Sequence, residues 1–257
     1  MISVIIPTKN GSQYIGRAIK SVLSQTETDL EIIVINDAST DNTANLVTEL
    51  QQHDARIRLI TNKTSVGPGI SRHVGIRESK SEFIALIDDD DEWLSKEKLS
   101  LQKKYLDEHP RVAVVGSAKN NFVREDGSIY PVRMDRQPET DAEIRRTMLW
   151  RNPFITSSVM LKKDPYLEVG GFSPMYLAED YDLWMRLGHH GELANIHNCD
   201  INYMIREGSA STLRQQEMNH IILGLVKNYK NDYPRFYYIN LIKAYARIWL
   251  FDLKHLF

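Results

Sequence analysis

The chain has 257 residues, 32 basic and 34 acidic side chains, a formal charge of −2, 42% hydrophobic and 26% charged residues. Such a composition excludes disordered, collagenous and fibrous classes, and the near-neutral balance argues against a nucleic-acid binder, which is basic as a rule. The single cysteine, Cys199, excludes an intrachain disulfide, disfavours a cysteine zinc site and fits a reducing, cytoplasmic setting.

Four short apolar runs open the chain: ISVII at Ile2, EIIVI at Glu31, IRLI at Ile57 and FIALI at Phe83. Nearly unbroken β-branched or aromatic runs of this length predict strands buried on both faces, as in a parallel sheet. Helical patterns separate them: Ile15, Ile19, Val22 and Leu23; then Ala44, Val47 and Leu50; then Ile70, Val74 and Ile76 after Gly67-Pro68-Gly69. Strand–helix alternation of this kind predicts right-handed βαβ crossovers, hence an α/β doubly wound sheet. Further helices are expected over Lys96 to Glu108, Ala142 to Leu149, Glu179 to Leu187 and from Leu213 onward, with strands at Ala113 and Ser157. Asp126-Gly127 is a hairpin candidate in the turn-rich stretch from Asn121 to Pro138. The opening MISVIIPTKN lacks a basic leader, and no run reaches the ~18 apolar residues of a membrane span. The chain is therefore expected to be soluble, or at most attached to a membrane surface.

Ligands of a doubly wound sheet bind beyond the carboxyl ends of its strands. Those positions read Pro7-Thr8-Lys9-Asn10-Gly11, Asn36-Asp37-Ala38-Ser39, Thr61-Asn62 and Asp88-Asp89-Asp90-Asp91. Four adjacent carboxylates repel one another unless a cation or donors neutralise them. Hard oxygen ligands suit Mg²⁺ or Mn²⁺, whereas an acidic helix cap needs only one such residue. Asp37 reads as a ligand for a nucleobase or ribose, because Ser39 and Asp41 can supply the helix cap; Thr8 adjoins the same pocket. Arg72 has two readings, a partner for a phosphate or for the acidic strand end. Glu179 and Asp180 open an amphipathic helix; either they serve its N-terminus or they hold a general base near a hydroxyl.

Six segments, SVIIPTKNGSQYI, EIIVINDASTDNT, NKTSVGPGISRHVGI, FIALIDDDDEWLSKEKL, GGF and AEDYDLWMRL, follow one another in the order of the family 2 glycosyltransferases of GT-A fold. The chain resembles that family, which uses nucleotide sugars to build bacterial surface polysaccharides, from about Ser3 to Ser211. The resemblance implies donor contacts from Thr8, Asp37, Arg72, Asp88 and Asp89, with Asp88 to Asp90 as the DxD motif. It implies Mn²⁺ or Mg²⁺ on Asp90, with Asp91 able to share that role. Asp180 would be the catalytic base, with Glu179 beside it binding donor or acceptor, and Trp184 would be packing. It further implies an inverting transfer from a nucleoside-diphosphate sugar, UDP being favoured, to a hydroxyl of a glycan or a lipid-linked saccharide. Arg206 in Tyr203-Met204-Ile205-Arg206-Glu207-Gly208-Ser209-Ala210-Ser211 stands where many relatives have a histidine. An arginine does not ligate a metal but pairs well with a diphosphate.

On this reading residues 1–115 are the nucleotide-sugar-binding half, 116–212 the acceptor-binding and catalytic half, and 213–257 a helical tail. From Gly224 the tail carries Lys227, Lys230, Arg235, Lys243, Arg247 and Lys254 against Asp232 and Asp252, a local charge of 6 − 2 = +4. With Ile242, Tyr245, Trp249 and Leu253 beside these cations, the tail reads either as a surface for an anionic membrane or as a helix packed on the core or on a partner. Two competing functions remain: a nucleotidyltransferase, whose Gly-rich, Arg-bearing first loop is missing from Pro7-Thr8-Lys9-Asn10-Gly11, and a non-catalytic sugar-nucleotide scaffold.

Overall fold

The run Ile2–Thr8 forms β1, and all seven of its residues are buried. Ile5 packs on one face of the sheet while Val4 and Ile6 pack on the other, which is why the run has no polar alternation. The structure, a computed structural model, describes residues 1–118, 120–128, 137–206 and 214–254. In chain order β1 is followed by α1 (Ile15–Leu23), β2 (Leu30–Asn36), α2 (Thr43–His53), β3 (Ile57–Thr61), α3 (Pro68–Glu78) and β4 (Phe83–Leu86). Next come β5 (Glu92–Trp93), α4 (Lys98–Glu108), β6 (Val112–Ser117), β7 (Asn121–Arg124), α5 (Asp141–Thr147), β8 (Met160–Lys162) and α6 (Lys163–Glu168). The chain continues through α7 (Glu179–His190), β9 (Glu192–Ile196), β10 (Ile201–Ile205), α8 (Gln215–Asn228) and α9 (Tyr237–Lys254).

The central sheet has the order β3-β2-β1-β4-β8-β6-β9. Its strands run parallel except β8, which lies antiparallel to both β4 and β6. The expected GT-A arrangement of a mostly parallel sheet between helices is thus present, together with the helical C-terminus. One sheet face packs Ile33, Ile35, Ile84 and Leu86 on Ile76 of α3 and on Leu183, Trp184 and Leu187 of α7. The opposite face packs Ile32, Val34 and Ala85 on Ile15, Ile19 and Val22 of α1 and on Leu99 and Leu106 of α4. A small second sheet, β5-β10-β7, stands beyond the end of β4.

Several expectations shift in detail. The strand expected at Ser157 begins only at Met160, because Thr156–Ser158 forms a 3₁₀ turn. The helix expected to end at Leu187, α7, runs on to His190. The turn at Asp126-Gly127 is present, with Gly127 at φ 82°, but the strand that would complete a hairpin lies outside the described residues. Instead β7 pairs in parallel with β10. The expected division at residue 115 falls inside β6, a strand of the central sheet.

Register places the site. Thr8 pairs with Asn36, and Asn36 with Thr61, so the first three strands end level. Ile5 pairs with Leu86, which brings the four aspartates alongside Thr8.

Candidate active site

After β4 the chain closes a tight turn, with the Asp91 N–H donating to the Asp88 carbonyl at 3.2 Å. Successive residues of such a turn project in different directions, and the four aspartates acquire four environments. The Asp88 carboxylate accepts from Arg72 Nη2 at 2.5 Å, while its N–H donates to Ser157 Oγ at 2.9 Å. Asp89 is buried and accepts from Thr8 Oγ1 at 2.5 Å; burial, helped by the charge on Asp90, pushes its carboxyl up to about 7. Asp90 Oδ2 lies 2.6 Å from Arg206 Nε, and its carbonyl accepts from Arg17 Nη2 at 2.8 Å.

Asp91 turns inward. It is 1% exposed, one oxygen accepts from the Ser157 hydroxyl and the other from the Met204 N–H at 2.8 Å. Burial holds its carboxyl well above the usual carboxylate range. Asp91 therefore fastens the acidic turn to the small sheet.

Gly11 lies against Asp89 and Thr8. A Cβ there would stand 2.5 Å from Thr8 Oγ1 and closer still to Asp89 Oδ2. No larger side chain leaves that pair intact.

Asp37 is not a free carboxylate. It is 3% exposed and accepts from Asn62 Nδ2 at 2.8 Å, Ser65 Oγ at 2.7 Å, and the Val66 and Gly67 N–H groups at 2.9 Å each. Burial works to raise its carboxyl, but these four donors outweigh it and hold the group below its ordinary range. The expected capping by Ser39 and Asp41 takes another form: the N-cap of α2 is Asn42, without a side-chain cap bond, while Asp41 accepts from the Thr43 N–H at 3.0 Å and the Ser12 N–H at 3.1 Å, and Ser39 Oγ accepts from the Asn10 N–H. Asp37 thus shapes the loop that leads into α3.

That loop ends at Gly67, whose φ of 87° favours glycine, with Pro68 as the first helical residue. Two residues on, Gly69 lets α3 approach α7, since a Cβ would fall 2.7 Å from Glu179 Cγ. The close approach lets Arg72 reach two carboxylates at once, Asp88 at 2.5 Å and Glu179 Oε1 at 3.0 Å. Its guanidinium also stands over the Phe172 ring, 5.6 Å from the centroid. Burial pushes Glu179 up to about 7, with Arg72 opposing.

At the start of α7, Asp180 Oδ2 accepts from Asn152 Nδ2 at 3.0 Å and Thr156 Oγ1 at 2.7 Å. Ala178, just before, has a left-handed φ of 56°, an unusual conformation for a residue with a Cβ. Trp184 is buried and packs edge-on to Phe154 at 5.4 Å, a packing role as expected.

A sequence model described as glycosyl transferase family 2 matches residues 3–170. The chain belongs to glycosyl transferase family 2. An uncharacterized glycosyltransferase of Haemophilus influenzae is 30% identical over 230 residues, covering 85% of this chain and 70% of that one. A UDP-Glc:alpha-D-GlcNAc-diphosphoundecaprenol beta-1,3-glucosyltransferase of Escherichia coli is 28% identical over 259 residues, covering 99% and 97%. In three dimensions the chain matches a Pyrobaculum calidifontis mannosyltransferase, solved with GDP-Man and Mn²⁺, at a TM-score of 0.72 and 18% identity, over 96% of this chain and 73% of that one. At that identity the likeness establishes the fold.

Members of family 2 share a fold that commonly carries a divalent cation, and the residues here fit one. Among the described residues no cluster of three or more His, Cys, Asp or Glu is arranged to hold an ion. Asp88 and Asp90 are a pair, with side chains 27% and 13% exposed. A pair suffices for an ion that fills its remaining positions with water and substrate phosphate. Burial and the charge of Asp88 raise the Asp90 carboxyl, and a guanidinium already stands against it as a cation.

Several of these side chains escape sequence reading. Ser157, Asn152, Thr156 and Arg17 each hold a predicted residue in place, yet they are ordinary polar residues with no motif around them. Gly11 carried a usable signal, a glycine just beyond a strand end. Residues 207 to 211 of the predicted leaving-group segment lie outside the described residues. A groove of about 460 Å³ between α8 and α9, lined in part by Asn219 and Arg247, shares no residue with the site.

Proposed function

We propose that this chain transfers a sugar, with inversion, from a UDP-sugar to a hydroxyl of a glycan or lipid-linked saccharide in surface-polysaccharide synthesis. One observation carries the reading: a single buried guanidinium, Arg72, joins Asp88 at the end of β4 to Glu179 at the head of α7. Two acidic motifs about ninety residues apart in sequence thereby face one cleft.

In the proposed chemistry Thr8 and Asp89 close the donor pocket, and Asp37 fixes the loop that frames the nucleoside. Asp88 and Asp90 would hold Mn²⁺ or Mg²⁺, which as a Lewis acid supplies positive charge for the departing diphosphate. Arg206 adds a guanidinium beside the same place. Asp180, fixed by Asn152 and Thr156, takes the proton of the attacking hydroxyl at its carboxylate. Attack from the side opposite the leaving group inverts the anomeric centre.

A lipid-linked acceptor is supported by the tail. Tyr238, Ile242, Tyr245, Trp249 and Leu253 recur at spacings of three and four along α9 and are 77%, 69%, 50%, 63% and 40% exposed. An aromatic stripe on a segment of net positive charge suits an anionic lipid surface. The tail also adjoins the acceptor side: Lys243 Nζ lies 3.5 Å from the Trp150 ring centroid, and Trp150 precedes Asn152 by two residues. Among the described residues no helix is long and apolar enough to cross a membrane.

The test is thermal-shift binding of UDP, GDP, dTDP and CDP, each with and without Mn²⁺. A midpoint rise with UDP that requires Mn²⁺ and vanishes in Asp90→Asn is the expected result. A folded protein that no nucleotide stabilises would refute the donor assignment.

A further inference from the structure

Arg206 closes β10, and its guanidinium is already engaged. Nε lies 2.6 Å from Asp90 Oδ2, and the guanidinium carbon lies 4.9 Å from the centre of the Tyr14 ring. Tyr14 is itself fixed by its hydroxyl, which donates to Glu125 Oε1 at 2.9 Å. Arg17 holds the Asp90 main chain from another side. The carboxylate assigned to the metal is therefore neutralised by a side chain of the same molecule.

A guanidinium and a divalent cation compete for one carboxylate oxygen: they use the same lone pairs, and they repel each other. We propose that Arg206 is a built-in counter-ion that competes with the divalent cation for Asp90, and that it passes to the donor diphosphate when cation and nucleotide bind together. This rests on the reading of Asp90 as a metal ligand.

The consequence is coupling between two ligands. Without nucleotide, a cation must displace Arg206 from Asp90, and the guanidinium gains nothing in exchange. With nucleotide, the displaced guanidinium finds a diphosphate, a better bidentate partner than one carboxylate oxygen. Cation and nucleotide then favour each other's binding reciprocally. The Tyr14 ring offers the guanidinium a cation–π surface on which it can change partners without leaving the site. A histidine in this position would ligate the metal; an arginine instead opposes the metal alone and favours the metal–nucleotide pair.

The experiment is isothermal titration calorimetry on the whole chain with MnCl₂ alone, UDP alone, and UDP at saturating MnCl₂. It compares the wild type with Arg206→Gln, Arg206→Lys and Asp90→Asn. Removing a competitor worth roughly one ion pair predicts that Arg206→Gln binds Mn²⁺ alone about fivefold tighter than the wild type. The same variant should bind UDP at saturating Mn²⁺ about tenfold more weakly, the loss of a charged hydrogen-bonding partner. Arg206→Lys, which keeps the charge without the planar fork, should fall between the two and serves if Arg206→Gln does not fold. Equal or weaker Mn²⁺ binding by the arginine variants, with Asp90→Asn losing Mn²⁺, overturns the counter-ion role and leaves Asp90 as the ligand. Wild-type Mn²⁺ binding by Asp90→Asn overturns both.

Discussion

Arg72→Met removes the guanidinium that ties the two acidic motifs together while retaining most of its length and apolar stem. Arg72 is 5% exposed and Glu179 7% exposed, so solvent does not take over the lost partner. Breaking a buried pair from one side costs about 3–5 kcal/mol. The structure adds a pH dependence. The Glu179 carboxyl is raised from 4.5 to about 7, so the folded state retains a proton that the unfolded chain releases. That stability is complete below pH 4.5 and is lost as pH rises through 7, and a shift of this size corresponds to about 3 kcal/mol. Arg72 pulls the Glu179 carboxyl downward, so without it the carboxyl rises further and the loss extends above pH 7. In urea unfolding followed by circular dichroism, Arg72→Met should therefore be penalised by about 3–5 kcal/mol at pH 8 and clearly less at pH 5. Glu179→Gln in the same background should restore at least half of the loss at pH 8, because no buried charge is then left unpaired. A penalty equal at both pH values, or no recovery in the double variant, would refute the reasoning.

Gly11→Ala forces Asp89 away from Thr8, with a stability loss of about 1–3 kcal/mol and the disappearance of the UDP-induced thermal shift; an intact shift would separate that pair from the donor pocket. Asp91→Asn should lower the unfolding midpoint while leaving Mn²⁺ binding unchanged by calorimetry, whereas Asp90→Asn should do the reverse; the opposite pattern would reverse the two assignments. Asp180→Asn should lower kcat by about 10²–10⁴ with the UDP dissociation constant within about twofold; near-normal turnover would remove Asp180 from the base role. Trp249→Ser combined with Ile242→Ser should reduce co-sedimentation with phosphatidylglycerol vesicles and leave UDP binding untouched; equal sedimentation would assign the α9 stripe to another partner, and a change in hydrodynamic size would identify that partner as a second copy.

The parallel core was legible because strands buried on both faces are almost wholly apolar, and the candidate site was proposed where such strands end, because ligands of parallel sheets gather there. The antiparallel insertion of β8 was not: Met160–Lys162 has the same apolar signature in either direction, and only its register with β4 and β6 reveals the reversal. The true end of α7 was hidden for a related reason. Gly188, just past the expected end at Leu187, lies inside the helix, where a Cβ would collide with the Tyr233 hydroxyl of the tail. That partner lies about 45 positions away in the sequence. The division of labour among four identical aspartates was beyond local reading too, since their neighbours Thr8, Ser157, Met204, Arg72 and Arg206 come from four separate segments.

That division bears on which carboxylate acts as the base. Six carboxylates, Asp88 to Asp91 with Glu179 and Asp180, lie after the end of β4 and at the head of α7, and each is accommodated differently. Asp89, Asp91 and Glu179 are buried, and burial drives all three carboxyls upward. Asp88 and Asp90 keep part of their surface and are each paired with a guanidinium. Those guanidinium groups occupy an oxygen of each, and burial with the charge of Asp88 raises the Asp90 carboxyl. Asp180 alone among the six is hydrogen-bonded to neutral donors while remaining partly exposed. Asn152 and Thr156 both approach its Oδ2, and the adjacent Tyr181 N–H donates to its Oδ1 at 2.7 Å. The side chains bonded to Asp180, Asn152 and Thr156, orient it through neutral hydrogen bonds. Glu179 differs from it: its carboxylate is engaged by Arg72, which also holds Asp88, so on the proposed reading it positions the base beside it.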